Sequence, residues 1–124
     1  MILRHLSDVK TVEWGAGLSR RFLLQSDGMG YSLTDTIVRA GTRSLLEYKH
    51  HLEACYCIEG RGAVETMDGT LHPIEPGVMY ALDKHDAHYL IGDPDVDMRL
   101  VCMFTPALKG DERHTLGDGQ SSHY

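Results

Sequence analysis

Eight histidines stand in a chain of 124 residues, and one glutamate, Glu53, sits where strand alternation should turn it inward. Histidine ligates metals and exchanges protons near neutral pH, so this count prompts a search for a site. His5, His72 and His123 lie in polar or turn-like surroundings and read as surface residues. The segment from Gly41 to Gly62 is different. A period of two puts Glu53, Cys55 and Cys57 on one face of a strand that ends at Gly60-Arg61-Gly62. A carboxylate on a buried face is costly unless it is paired or holds a cation. Further on, Pro76-Gly77 turns into Val78-Met79-Tyr80-Ala81-Leu82, and Asp83-Lys84-His85-Asp86-Ala87-His88 follows. Tyr80 reads either as a core tyrosine with a bonded hydroxyl or as a phenol whose pKa a metal would lower. The cysteines are three, Cys55, Cys57 and Cys102, so any intramolecular pairing leaves one over. Reduced thiols in a cytoplasm are the simpler reading. Cys55 and Cys57 could share a metal, but no second cysteine pair completes a zinc site.

These residues need strands to carry them. Turn signals recur at Asp27-Gly28, Ala40-Gly41, Gly60-Arg61-Gly62, Asp68-Gly69, Pro76-Gly77 and Gly92-Asp93-Pro94. Between them lie short runs rich in β-branched and aromatic residues: 21–24, 31–38, 54–58, 63–67, 78–82 and 98–104. Short strands at near-regular spacing predict an all-β sandwich or barrel with little helix beyond a turn near the start. The length suits one domain over residues 1–124, with the polar stretch 109–124 as a tail that could cover a site. The formal charge of −6 and the lack of any basic run argue against a nucleic-acid surface. No apolar stretch approaches the roughly 18 to 20 residues that span a bilayer, and Met1 to Lys10 lacks the apolar centre of a signal peptide.

The Glu53 strand and its glycine hairpin resemble the end of the first cupin motif, and the stretch closing on His88 resembles the second. The fold this implies is a single cupin-type, jelly-roll-like β-barrel. The His-x-His that usually precedes the glutamate is missing, since Leu46-Glu47-Tyr48-Lys49 stands there. With Tyr80 in place of an imidazole, Glu53, Tyr80 and His88 would make a mixed O,O,N set with open positions. Such a set suits iron(II) or another first-row divalent ion better than a closed zinc site.

Longer strings point to a narrower family. Asp27-Gly-Met-Gly-Tyr-Ser, Lys49-His-His-Leu-Glu-Ala, Tyr56-Cys-Ile-Glu-Gly, Met79-Tyr-Ala-Leu-Asp-Lys-His-Asp86 and Val101-Cys-Met-Phe resemble ectoine synthase, from about Ser19 to His114. That family closes N-γ-acetyl-L-2,4-diaminobutyrate into the cyclic amidine ectoine, a compatible solute, with loss of water. The resemblance implies iron ligation by Glu53, Tyr80 and His88. It puts Arg21, Thr36, Tyr48, His51 and Phe104 on the substrate side, and Asp86, Pro106, Gly110, Glu112 and His114 around the site. Tyr48, Asp86, Glu112 and His114 are the expected catalytic groups, with Glu112 or His114 moving a proton from the tail. A cytoplasmic homodimer acting on a small molecule is the corresponding expectation, and pairing of exposed sheet edges favours it.

The chain departs from the family pattern at Gly17, where a tryptophan is usual and Trp14 lies three residues earlier. Thr34 replaces a common histidine or asparagine, and the acidic run after His114 is absent. These changes touch the substrate side more than the metal side. Two other functions stay open from sequence: the same scaffold acting on a related substrate, and a non-catalytic small-molecule-binding cupin.

Overall fold

The computed structural model describes residues 1–112 and the backbone of Ser122–His123. His114, in the expected tail, lies outside the described residues. Two sheets hold the described chain. One orders its strands β1 (Lys10–Glu13), β2 (Gly17–Leu23), β3 (Ser32–Val38), β10 (Met98–Thr105), β5 (Leu52–Glu59) and β8 (Met79–Leu82). The other runs β11 (Ser122–His123), β4 (Arg43–Glu47), β9 (His88–Gly92), β6 (Gly62–Thr66) and β7 (Leu71–Ile74). All pairings are antiparallel except β11 on β4. The only helical pieces among the described residues are 3-10 turns at Leu6–Asp8 and Gln25–Asp27.

Alternation builds the core. Along β10, Met98, Leu100, Cys102 and Phe104 are buried while Met103 and Thr105 are exposed. Along β5, Glu53, Cys55 and Cys57 point inward, as the period of two predicts. Facing strands contribute Leu46, Val64 and Leu90, and the two inner faces close on one apolar cluster. The hairpin glycines have a steric reason. A Cβ on Gly60, whose φ is +70°, would stand 1.8 Å from the Asp97 carbonyl oxygen. One on Gly62 would stand 2.4 Å from that of Ile91.

Five strands were not expected: β1, β4, β7, β9 and β11. β1 and β7 are four residues long, are almost wholly exposed, and contain Lys10, Glu13 and Pro73. Their pairing partners, rather than their own composition, make them strands. The strand expected at 21–24 instead spans Gly17–Leu23, and its pairing with β3 shifts register between Arg21 and Leu23. Lys109 to Glu112 do not hang loose. The Gln25 N–H donates to the Leu108 carbonyl at 2.7 Å, and the Glu112 carboxylate accepts from the N–H groups of Lys109 and Gly110, each at 2.9 Å. Among the described residues, no helix is long and apolar enough to cross a membrane.

Candidate active site

The inner faces of β2, β3, β4, β5, β8 and β10 enclose a narrow cavity. Its wall includes Trp14, Thr34, Thr36, Tyr48, Glu53, Cys55, Tyr80, Cys102 and Phe104. Trp14 answers the question raised by Gly17. The β1–β2 hairpin packs its indole beside Gly17, where a Cβ would lie 3.3 Å from the indole nitrogen and 1.7 Å from the Ile37 carbonyl oxygen. The tryptophan surface is therefore supplied from three residues upstream, and position 17 has no room for a side chain. Thr34 and Thr36 bring their hydroxyls to 3.2 Å from each other on the same wall.

Glu53 is 7% exposed. Burial pushes its carboxyl up to about 8, against the pull of hydrogen bonds from the Cys55 and Cys102 thiols. Tyr80 is the cross-strand partner of Cys55, and burial likewise raises its phenol well above the ordinary value. His88 is 1% exposed. Burial pushes its pKa down, so the ring is neutral. Its Nδ1 donates to the Asp86 carbonyl at 3.0 Å, which leaves the lone pair on Nε2. That Nε2 is buried and has no hydrogen-bond partner among the described residues. A neutral imidazole with an orphaned lone pair in a barrel core has the form of a metal ligand. The Tyr80 and His88 rings lie 6.4 Å apart, and Tyr80 borders both the Glu53 cavity and an outer groove that reaches His88. These donors fit a hard or borderline first-row cation. Among the described residues, Glu53, Cys55 and Cys102 also bring their ligand atoms within 4.8 Å of one another. The Cys55–Cys57 pair weighed from sequence does not form: Cys57 Sγ donates to the Glu59 carbonyl at 3.4 Å instead.

On the substrate side, Arg21 is 3% exposed, not solvated beside Arg20. Alternation sends Arg20 outward to Asp35 and Arg21 inward. Arg21 Nη2 donates to the Glu112 carbonyl, and Nη1 stands 3.9 Å from the Glu112 carboxylate. Its Nε and Nη1 are buried without a hydrogen-bond partner among the described residues. Burial pushes the Glu112 carboxyl up, but backbone N–H donors and the Arg21 charge together hold it below its ordinary value. Tyr48 is buried, with Phe104 edge-on at 5.1 Å and His88 at 6.1 Å between ring centroids. His51 stacks edge-on to Phe104 at 6.2 Å and donates from Nδ1 to the Pro106 carbonyl at 2.8 Å. Asp86 is exposed, and its carbonyl rather than its carboxylate meets His88. Sequence reasoning missed His85, whose Nδ1 donates to the Tyr48 carbonyl at 2.8 Å and so ties the β8–β9 loop to the Tyr48 loop. Its left-handed φ of +58° was the structural oddity to find, and no sequence pattern announced it.

Two antiparallel sheets around a buried polar donor set, entered through a Gly-Arg-Gly hairpin after an inward glutamate, define a cupin-type enzyme barrel. The family model for ectoine synthase matches residues 1–122. The L-ectoine synthase of Desulfatibacillum aliphaticivorans is 50% identical over 121 residues, covering 92% of each chain. That of Halalkalibacterium halodurans is 52% identical over 108 residues, covering 86% of this chain and 80% of its own. The crystal structure of ectoine synthase from P. lautus superposes with a TM-score of 0.85 at 48% identity, covering 90% of this chain and 83% of the other. The chain belongs to the ectoine synthase family, whose members are hydro-lyases.

Proposed function

We propose that this chain closes N-γ-acetyl-L-2,4-diaminobutyrate into ectoine with loss of water, using a divalent metal, iron(II) first among them, held by Glu53, Tyr80 and His88. The observation that carries the metal reading is the orphaned, neutral Nε2 of His88 in the barrel core. An amide carbonyl is a poor electrophile, and the bound cation would supply the Lewis acidity to polarise it. The protein's own groups do the rest. Arg21 holds the substrate carboxylate with its positive charge and its unspent guanidinium N–H groups. Trp14, Thr36, His51 and Phe104 bend the chain so that the α-amine meets the acetyl carbon, and proximity of this kind supplies a large part of the acceleration.

Closing the ring needs two protons taken from the reacting nitrogens and two given to the oxygen that departs as water. Tyr48 is the proton-transfer group with the best support, because its buried ring borders the same cavity as Glu53. Glu112, held ionised, serves first as the charge that steadies Arg21 and the attacking amine. Asp86 fixes the tautomer of His88 through its carbonyl. A role for His114 rests on the family resemblance alone. The single-domain reading extends over residues 1–124.

Anaerobically purified protein, loaded with iron(II), is expected to form ectoine from this substrate and to lose that activity when iron is chelated. A fully loaded protein that forms no ectoine would sink the substrate assignment, and would favour a related substrate on the same scaffold.

The assembly reading is a cytoplasmic homodimer. The outer face of the six-stranded sheet is unusually apolar: Met103 registers with Ala54, and Val101 with Tyr56. On the next strand Ala54 and Tyr56 register with Ala81 and Met79. Tyr56 is 48%, Met79 59% and Met103 42% exposed. A contiguous apolar patch of this kind is normally covered by a partner. Light scattering should give twice the chain mass of 13.9 kDa, and a mass equal to one chain would contradict the dimer.

A further inference from the structure

We propose that Glu53, Cys55 and Cys102 form a second donor set, selective for soft divalent cations such as zinc and cadmium, which shares Glu53 with the iron set and excludes iron when filled. Cys55 and Cys102 are direct cross-strand partners on β5 and β10, and both are free thiols on the inner face. Two buried cysteines side by side ordinarily pack as small apolar residues. Here the packing reading is incomplete, because a buried carboxylate lies against them. One Glu53 oxygen and the two sulfurs all lie within 4.8 Å of one another.

The geometry needs little change to close on an ion. Tetrahedral zinc with Zn–S bonds of about 2.3 Å sets its sulfurs about 3.8 Å apart. The Cα register already fixes the two cysteine backbones, so side-chain rotation within the cluster supplies the difference. Tyr80, opposite Cys55 on β8, borders the same cavity. Donor softness then separates the two sets. Thiolates favour zinc and its heavier congener cadmium, whereas carboxylate, phenol and imidazole suit iron. Both sets draw on Glu53, so filling one removes a ligand from the other. This competition rests on the iron reading above; the soft-cation site itself does not.

The test titrates cadmium into metal-free protein whose thiols are kept reduced with a phosphine, and follows thiolate-to-cadmium absorption in the near ultraviolet. One cadmium per chain is expected. Cys55→Ser and Cys102→Ser should each weaken binding by about tenfold or more, the scale seen when even supporting residues of a metal site are lost. Cys57→Ser and His88→Ala should leave the band intact. No band in the wild-type protein, or a band lost with His88→Ala and kept by both serine variants, would overturn the site. If a serine variant fails to fold by circular dichroism, preloading with iron(II) is the second measurement. It should weaken cadmium uptake about tenfold or more, as expected when a shared ligand is withheld. Simultaneous loading of both metals at full affinity would overturn the shared-Glu53 proposal. Failure to make ectoine with the cadmium band intact would count against the iron reading alone.

Discussion

Glu53→Gln is expected to abolish iron retention and to lower ectoine formation by at least about two to three orders of magnitude, the scale for losing one main electrostatic element of a site. The substitution preserves shape and removes the ability to ionise. Its effect on the metal-free fold should be opposite in sign to its effect on activity. Burial holds the Glu53 carboxyl neutral up to about pH 8, against 4.5 for an unperturbed group. Between those values the folded chain binds more protons than the unfolded one. Stability of the metal-free protein therefore falls as pH rises through that window, with a slope reaching about 1.4 kcal/mol per pH unit. Glu53→Gln stays neutral, so its denaturation midpoint should be flatter from pH 5 to pH 8, roughly the same window. Cation binding must displace the Glu53 proton, so iron affinity should rise about tenfold per pH unit below about pH 8. If Tyr80 binds as a phenolate, a second proton leaves and the rise steepens to about a hundredfold per unit. Metal affinity measured across pH for wild type, Glu53→Gln and Tyr80→Phe separates these cases. A pH-independent affinity in the wild-type protein would remove Glu53 from the ligand set.

The inward direction of Glu53 was legible from sequence because a strand has one period and the neighbouring residues Cys55 and Cys57 obeyed it. The neighbour of Cys55 was not legible. Cys102 meets it only because β10 lies next to β5, and no local pattern states which distant strands pair. Arg21 shows the same limit. Alternation says that Arg20 and Arg21 point to opposite faces, but a strand reading Ser-Arg-Arg does not say which face is the core. The partner on β3 decided it: Asp35 draws Arg20 outward, and Thr34 and Thr36 leave a polar wall inside for Arg21. The family strings named the candidate residues as a set and left open whether Trp14 fills the space beside Gly17, which the hairpin settles. That substitution is an exchange of backbone origin for the same kind of surface, visible only once the hairpin is folded.

Arg21→Ala should cut kcat/KM by about two orders of magnitude, within the 2 to 5 kcal/mol that follows truncation of one member of a buried charged pair. The side chain is wholly shielded, two of its donors are unspent, and its remaining contact runs to Glu112. A purely structural arginine would satisfy those donors with protein, since buried unpaired donors are destabilising. The Gln25 N–H still donates to the Leu108 carbonyl and Lys10 Nζ to the Gly110 carbonyl in the variant, so that segment stays anchored without Arg21. Arg21→Lys retains charge but not the planar fork, and should recover only part of the loss. The discriminating substrate is N-acetyl-1,3-diaminopropane, which lacks the carboxylate. If Arg21 clamps that group, the wild-type protein should handle this analogue about as poorly as the variant handles the full substrate. Combining the variant with the analogue should then cost little more, because each change removes the same contact. Fully additive losses would mean that Arg21 acts on the reaction through packing of the Glu112 segment rather than by holding the substrate.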